Sequence, residues 1–120
     1  MQSYKDLDVY QQVYTQAKRL YEASACYPKE EQYGLTSQIR RAAVSIPLNI
    51  AEGYGKVETG KELVRFLSMA RGSSAELEVL LDFSRDLGYI SEEEYSRFKE
   101  IQERVGKMLT GLIKSIQSKS

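Results

Sequence analysis

Apolar residues recur every three to four positions along nearly the whole chain, and no stretch alternates apolar and polar residues for long enough to predict a strand. This period places the apolar side chains on one face of a helix. It predicts four helices, over residues 6–25, 33–55, 60–87 and 92–117, within a single domain that spans residues 1–120. Because the connections are short, an all-α, antiparallel up-down-up-down four-helix bundle is the expected fold.

Local signals support these helix boundaries. Ser91 followed by Glu94 has the spacing of a capping box at the start of the fourth helix. Gly88 suits the left-handed conformation that commonly ends a helix. Pro47 lies inside the second helix, where it removes one backbone hydrogen bond. The apolar stripe resumes in phase after it, so we expect a kink or local widening of the helix rather than a break.

The composition removes most catalytic and metal-binding chemistry. The chain contains no histidine, the commonest general base and a frequent zinc ligand. Its single cysteine, Cys26, can form neither an internal disulfide nor a CxxC pair, and it suits a reducing cytoplasm. No apolar run approaches the ~18 to 20 residues that span a bilayer. We therefore expect a cytoplasmic protein that is not an enzyme, has no cofactor or metal, and does not interact with membranes.

The 17 basic and 17 acidic residues cancel in number, but they are unevenly distributed. Residues 35–75 carry six basic and three acidic residues, 76–103 carry three and nine, and 104–120 carry four and none. The positive block at 35–75 is a candidate for contact with nucleic-acid phosphates. Ordinary surface lysine and arginine is the alternative interpretation. The candidate nucleic-acid-binding residues are Arg40, Arg41, Lys56, Lys61, Arg65 and Arg71.

A polar stripe runs beside the apolar stripe of the second helix, with members at i, i+4, i+8 and i+11. The third helix offers polar partners at matching spacing. We interpret the two sets as a network between the helices, because buried polar groups need partners; a ligand-binding groove is the alternative. The predicted network comprises Arg41, Ser45, Asn49, Glu52, Arg71, Ser74 and Glu78.

The chain has nine tyrosines and no tryptophan. Three of the tyrosines, Tyr10, Tyr14 and Tyr21, recur along the first helix. Tyrosine suits surfaces that are partly apolar and partly wet, as protein interfaces are. The pattern favours a homo-oligomer with contacts through the first helix, while packing within the bundle explains it equally well.

Two long motifs carry a resemblance to a known family. The run YGLTSQIRRAAVSIPLNIAEGYGK (33–56), followed by FLSMARGSSAELEVLLDFSRDLGYIS (66–91), resembles the bacterial 23S rRNA intervening-sequence proteins, also called four-helix-bundle proteins. The resemblance implies a cytoplasmic four-helix bundle, a ring-shaped homopentamer and no known enzymatic activity. The family pattern falls on Arg40, Arg41, Ser45, Pro47, Asn49, Glu52 and Gly53, and on Ala70, Arg71, Gly72, Ser73, Glu76 and Leu77.

A related group, the accessory variability proteins of diversity-generating retroelements, has the same bundle and ring and binds nucleic acid and a reverse transcriptase through a basic surface. Our first hypothesis is a non-enzymatic oligomeric scaffold for RNA or ribonucleoprotein, with RNA or DNA as the partner. The alternatives are a protein-protein interaction module without nucleic-acid affinity, and an accessory protein of a reverse transcriptase.

Overall fold

The computed structural model describes residues 3–119 of the chain. Its helices begin and end within two residues of the predicted bounds, and no strand occurs in the described range. Each helix packs against the next along the chain, and the last packs against the first, so the four helices form a closed square in cross-section. The bundle measures 46 × 23 × 21 Å. The helices are α1 (Asp8–Ser24), α2 (Leu35–Lys56), α3 (Gly60–Asp86) and α4 (Glu92–Ser118), with short 3-10 turns at Tyr4–Asp6 and Lys29–Glu31.

Neighbouring helices are antiparallel, as the short connections predict. Residue 45 of α2 lies opposite residue 73 of α3, and residue 41 lies opposite residue 76. The all-α, four-helix architecture predicted from the sequence is therefore confirmed. Among the described helices, none is both long and apolar enough to cross a membrane.

The signals predicted for the end of α3 and for the start of α4 are both present. At the start of α4, Ser91 Oγ accepts a hydrogen bond from the backbone N–H of Glu94, and Glu94 Oε1 accepts one from the backbone N–H of Ser91, each at 3.0 Å. Gly88 has a φ of 79°, which places it in the left-handed region after α3. These local hydrogen bonds satisfy backbone groups that a helix terminus would otherwise leave unpaired.

The start of α2 is capped by a side chain that the sequence pattern did not identify. Glu31 Oε1 accepts a hydrogen bond from the backbone N–H of Leu35 at 3.1 Å, and Tyr89 donates its hydroxyl hydrogen to Glu31 Oε2 at 2.9 Å. Gly34 makes room for this cap, because a Cβ there would lie only 2.8 Å from Glu31 Oε1. The carboxylate thus ties the start of α2 to the loop between α3 and α4.

Most apolar residues at the three-to-four spacing are buried or partly buried, but several are exposed. α2 runs unbroken through Pro47, which is buried. Met69 and Leu87 continue the three-to-four apolar spacing of the third helix, which predicts burial, but they are 47% and 53% exposed, so the prediction is wrong at these two positions. Tyr14 and Tyr21, on the apolar face of the first helix, are also exposed. Met69 points about 100° away from the buried Ala70, and Leu87 lies just after the last residue of α3. The largest fully buried aliphatic side chains are Leu20, Ile39, Ile46, Ile50, Leu67, Leu77, Leu81 and Leu109.

A buried polar chain crosses the core between three helices. Gln16 Nε2 on α1 donates hydrogen bonds to the backbone carbonyl of Phe98 at 2.8 Å and to Gln102 Oε1 at 3.2 Å, both on α4. Gln102 Nε2 donates to Ser74 Oγ on α3 at 2.6 Å. All three side chains are buried. Because such groups are costly to bury unpaired, the chain favours one relative register of α1, α3 and α4.

Candidate nucleic-acid interface

The polar stripe of α2 contacts α3, but through different α3 residues from those predicted. The hydroxyl groups of Ser45 and Ser73 are 2.8 Å apart, and Arg41 Nη2 lies 3.3 Å from Glu76 Oε1. Asn49 Nδ2 donates to the backbone carbonyl of Ser45 at 2.9 Å. The partners supplied by α3 are thus Ser73 and Glu76.

The three predicted α3 members of that network face α4 instead. Arg71 Nη1 donates to Thr110 Oγ1 at 3.4 Å, Ser74 belongs to the buried chain with Gln102, and Glu78 lies 3.9 Å from the ammonium of Lys99. The fourth α2 member, Glu52, pairs with Lys56 on its own helix at 3.3 Å. The single predicted network is therefore wrong, because the structure has two separate sets of polar contacts, one between α2 and α3 and one between α3 and α4. The spacing within α3 identifies a polar face, but it does not say which neighbouring helix that face contacts.

Two of the predicted nucleic-acid contacts, Arg40 and Arg41, lie in the first turns of α2, away from the other four, and both have partners within the protein. Arg40 donates through Nε to Ser24 Oγ at 2.8 Å and through Nη2 to the backbone carbonyl of Tyr21 at 3.1 Å, and its guanidinium lies 4.7 Å from the Tyr21 ring centre. It therefore ties the end of α1 to α2. Arg41 is paired with Glu76 on a different side of the bundle.

The remaining four predicted contacts, Lys56, Lys61, Arg65 and Arg71, lie in the half of the bundle where α2 ends and α3 begins. This half is formed by residues 3–15, 46–72 and 106–119, and it contains 8 basic and 5 acidic residues. The other half, formed by residues 16–45 and 73–105, contains 9 basic and 12 acidic residues. We call these the basic half and the acidic half. The neutral chain is thus an electrostatic dipole, with a net charge of about +3 at one end and −3 at the other.

An open groove of about 650 Å³ between α3 and α4, which we call the α3–α4 groove, extends from the basic half into the acidic half. Two exposed lysines, Lys107 and Lys114, line it, and neither makes an ion pair within residues 3–119. The candidates predicted from the sequence do not include these two lysines, although both belong to the block at 104–120, which has four basic and no acidic residues. The groove is lined by Arg71, Ser74, Ala75, Glu78, Glu103, Gly106, Lys107, Thr110, Gly111 and Lys114.

The opposite side of the bundle presents aromatic and apolar groups along the seam of α1 and α2, around a hollow of about 310 Å³. The rings of Tyr10 and Tyr14 are stacked with centres 5.9 Å apart, and Lys18 Nζ lies 5.0 Å from the Tyr14 ring centre. Tyr14, Tyr21 and Leu48 are 50%, 43% and 58% exposed. We call this seam the α1–α2 surface. It brings the three predicted interface tyrosines together and adds Leu48.

A second apolar strip runs along the last turns of α3 and ends just beyond the helix. Val79, Phe83 and Leu87 follow one another at intervals of four residues, and more than half of each side chain is exposed. Residues four apart on a helix lie on the same face. The strip belongs to the acidic half and is separate from the α3–α4 groove.

The most connected charged cluster links α3 and α4. Asp82 Oδ1 accepts hydrogen bonds from Lys99 Nζ at 2.8 Å and from Tyr95 Oη at 2.7 Å, and the Arg85 guanidinium lies 4.1 Å from the Tyr95 ring centre. The hydrogen bonds from Lys99 and Tyr95 hold the pKa of the Asp82 carboxyl below its ordinary value. One oxygen of this carboxylate is thus held between the side chains of Lys99 and Tyr95. Within residues 3–119, no three histidine, cysteine or acidic side chains are grouped so that they could hold a metal ion.

Together these features define an all-α four-helix bundle that presents charged and aromatic surfaces. The sequence model of the family described as 23S rRNA-intervening sequence protein matches residues 5–111, so the chain belongs to this family. The match confirms the resemblance carried by the two motifs. No curated protein matches the chain.

A solved structure with the same fold supports the architecture. It is the crystal structure of a protein with unknown function from the S23 ribosomal protein family of Bacteroides thetaiotaomicron. The two superpose with a TM-score of 0.79 and 22% sequence identity, over 88% of this chain and 95% of that chain. Neither the family description nor this neighbour indicates a catalytic activity.

Proposed function

We propose that this protein is a non-enzymatic, oligomeric, cytoplasmic scaffold that binds RNA by its phosphates through the basic half of the bundle. The observation that carries the proposal is the lengthwise separation of charge in a chain whose total charge is zero. A cluster of positive charge at one end attracts a polyanion even when the whole molecule is neutral. Because the chain belongs to the 23S rRNA-intervening sequence protein family, we propose RNA as the nucleic acid that it binds.

The side chains of the basic half suit phosphate contacts. Lys61, Lys107 and Lys114 are exposed and make no ion pair within the described chain. Lys56 pairs only with the neighbouring Glu52 on the same helix, and such exposed pairs stabilise by well under ~1 kcal/mol. These ammonium groups can therefore turn towards a phosphate without breaking a strong contact. Phosphate contacts position a protein on nucleic acid without reading its sequence.

Binding to a fragment of 23S-type RNA across a salt series tests this function. We expect log K to fall linearly with log salt concentration, because each neutralised phosphate releases counterions. The double substitution Lys56→Glu/Lys61→Glu should weaken binding and reduce the slope by about two. The matched control is Arg19→Glu/Lys29→Glu, which makes the same change in net charge in the acidic half. It should retain most of the affinity.

Two outcomes would contradict this function. Wild-type protein that binds no RNA at low salt would reject it and favour the alternative of a protein-interaction module. Equal losses in the two double variants would show that only net charge matters, and that the basic half is not the contact.

We also propose that copies of the chain associate through the α1–α2 surface, in the ring-shaped homopentamer that the family resemblance implies. A ring needs two different patches on each copy, because each subunit contacts its two neighbours through different surfaces. The α1–α2 surface is one apolar patch, and the α3 strip of Val79, Phe83 and Leu87 is suited to be the second. Exposed aromatic and aliphatic side chains grouped in this way are typical of interaction sites.

Substitution of Tyr14 tests the association. Light scattering behind a sizing column should give five times the 13.7 kDa protomer mass for the wild type and a lower mass for Tyr14→Glu. A charge at this position would be desolvated in the interface without a partner. Thr15→Glu, at the next position but facing the α1–α4 side, should keep the wild-type mass. A monomeric wild type, or a Tyr14→Glu variant with unchanged mass, would contradict this role of the surface.

A further inference from the structure

We infer that the α3–α4 groove binds the phosphate backbone of a double-stranded nucleic-acid segment, and that it prefers paired over single strands. The inference rests on the proposed function and specifies which form of RNA the protein binds. It follows from the shape of the groove, from the charges along it and from the position of the exposed rings.

The groove presents positive charge at two levels along α4. Lys107 and Lys114 are seven residues apart, which separates them by two helical turns, or about 10 Å along the axis. Arg71 reaches across from α3 towards Thr110 at 3.4 Å, between the levels of the two lysines. Lysine is a point charge on a flexible stem, so the pair can follow phosphates whose positions vary.

Small residues keep this groove open. A Cβ added at Gly106 or Gly111 would meet no atom within 4 Å, so both glycines leave free space beside the α4 backbone. Ala75 lines the α3 side. A phosphate backbone can therefore approach the helices closely, while the lysine stems extend past the small residues to meet it.

Two carboxylates limit the positive part of the groove. Glu78 and Glu103 line the groove where it enters the acidic half. Glu78 already lies 3.9 Å from Lys99, whereas Glu103 makes no ion pair within residues 3–119. A polyanion is therefore directed to the part between Arg71 and Lys114, and away from the acidic half.

No exposed ring is available to stack on a base in this groove. The four most exposed rings of residues 3–119 are Tyr14, Tyr21, Tyr33 and Phe83. Tyr14 and Tyr21 belong to the α1–α2 surface, which lies on the opposite side of the closed square of helices, and the other two lie in the acidic half. Single-strand binders combine a basic groove with aromatic side chains on which bases stack. A duplex keeps its bases stacked inside and offers its phosphates, which is the chemistry that this groove can meet.

Fluorescence anisotropy with three labelled probes tests the inference. The probes are an RNA duplex of about 20 base pairs, longer than the ~16 that a double-stranded-RNA domain covers, a DNA duplex of the same sequence, and an oligouridine of equal length. We expect the RNA duplex to bind at least roughly tenfold more tightly than oligouridine, because the groove cannot stack bases. The DNA duplex should bind within roughly tenfold of the RNA duplex, since the contacts are to phosphates.

The variant Lys107→Gln/Lys114→Gln should weaken duplex binding and reduce the salt slope by about two. Its matched control is Arg97→Gln/Arg104→Gln, which removes two charges from the α1-facing side of the same helix, where each arginine pairs with a glutamate four residues before it. The control should bind the duplex as the wild type does, and thermal melts should show both variants folded.

Each failure points to a different part of the account. Oligouridine bound as tightly as the duplex, a DNA duplex that is not bound, or a Lys107→Gln/Lys114→Gln variant with wild-type affinity would each overturn the inference and leave the proposed RNA function standing. Failure of the wild type to bind any RNA would overturn both.

Discussion

Replacement of Leu77 by alanine is expected to lower the free energy of unfolding by about 2–5 kcal/mol. Leu77 lies at the middle of α3 and is fully buried. Truncation loses the transfer free energy of the removed methyl groups and leaves a cavity that the surrounding helices fill only partly. Urea denaturation at a fixed protein concentration measures the change, since self-association would make the midpoint depend on concentration.

The matched control is Met69→Ala, eight residues before Leu77 on the same helix, where the residue is 47% exposed and lies outside the proposed interface strip. We expect a change within about 0.5 kcal/mol, typical of surface substitutions. A cost below that value for Leu77→Ala would show that the buried face of α3 is wrongly assigned. Ile46→Ala on α2, which is also buried, should behave like Leu77→Ala.

Substitution of Gly53 by alanine is expected to destabilise the protein by about 1–3 kcal/mol. Gly53 is the point of close approach between α2 and α3: a Cβ there would lie 2.9 Å from Leu63 Cδ1 and 3.1 Å from Phe66 Cβ. The leucine methyl can move aside, but Phe66 Cβ is fixed to the backbone of α3, so the two helices must separate. This cost exceeds the gain of up to about 1 kcal/mol that alanine brings to a helix.

Gly55 provides the control on the same helix, because a Cβ there would meet no atom within 4 Å. Gly55→Ala should therefore be neutral or stabilising by up to about 1 kcal/mol. The two alanine variants should differ in the sign of their effect on the urea midpoint. Equal stabilisation by both would mean that α2 and α3 are not in close contact at Gly53.

The architecture could be predicted because its signals are local. The three-to-four spacing of apolar residues defines each helix, and the pair of Ser91 and Glu94 fixes where α4 begins. Each signal depends on residues within one or two turns of the same helix. The order in which four such helices close into a square follows from the short connections.

The pairing of polar faces could not be predicted in the same way. Ser73 and Ser74 are neighbours in sequence, yet Ser73 contacts Ser45 on α2, whereas Ser74 contacts Gln102 on α4. One residue along a helix rotates the side chain by about 100°, enough to move it from one seam to the next. Which seam faces which helix depends on the handedness of the whole bundle, and the spacing within α3 carries no information about it.

For the two buried glutamines, the position on the helix predicts burial, whereas the polar side chain predicts exposure. Gln16 falls on the same face of α1 as Val13 and Leu20, and Gln102 falls on the same face of α4 as Phe98 and Val105. Their positions alone predict burial. A glutamine is expected at the surface unless a partner exists, and here the partners lie more than 80 residues apart in the sequence.

Arg40 illustrates the limit for the candidate interface. From the sequence, Arg40 is a candidate for phosphate contact because it belongs to the positive block at 35–75. In the structure its guanidinium donates hydrogen bonds to Tyr21 and Ser24 at the end of α1. Lys107 and Lys114 belong to a different block, which only the folded bundle brings beside Arg71. A charge count along the chain finds basic segments, whereas the surface that they share depends on the packing of the helices.

Lysine footprinting tests the central claim most directly. The protein is treated with an amine-acetylating reagent, free and in complex with an RNA duplex, and the modified lysines are quantified by mass spectrometry. Lys61, Lys107 and Lys114 should be protected by the RNA, while Lys18 and Lys29, which lie on the α1–α2 surface and in the acidic half, should react equally in both samples. Protection of Lys18 or Lys29 with no protection of Lys107 and Lys114 would contradict the assignment of the basic half as the RNA-binding surface.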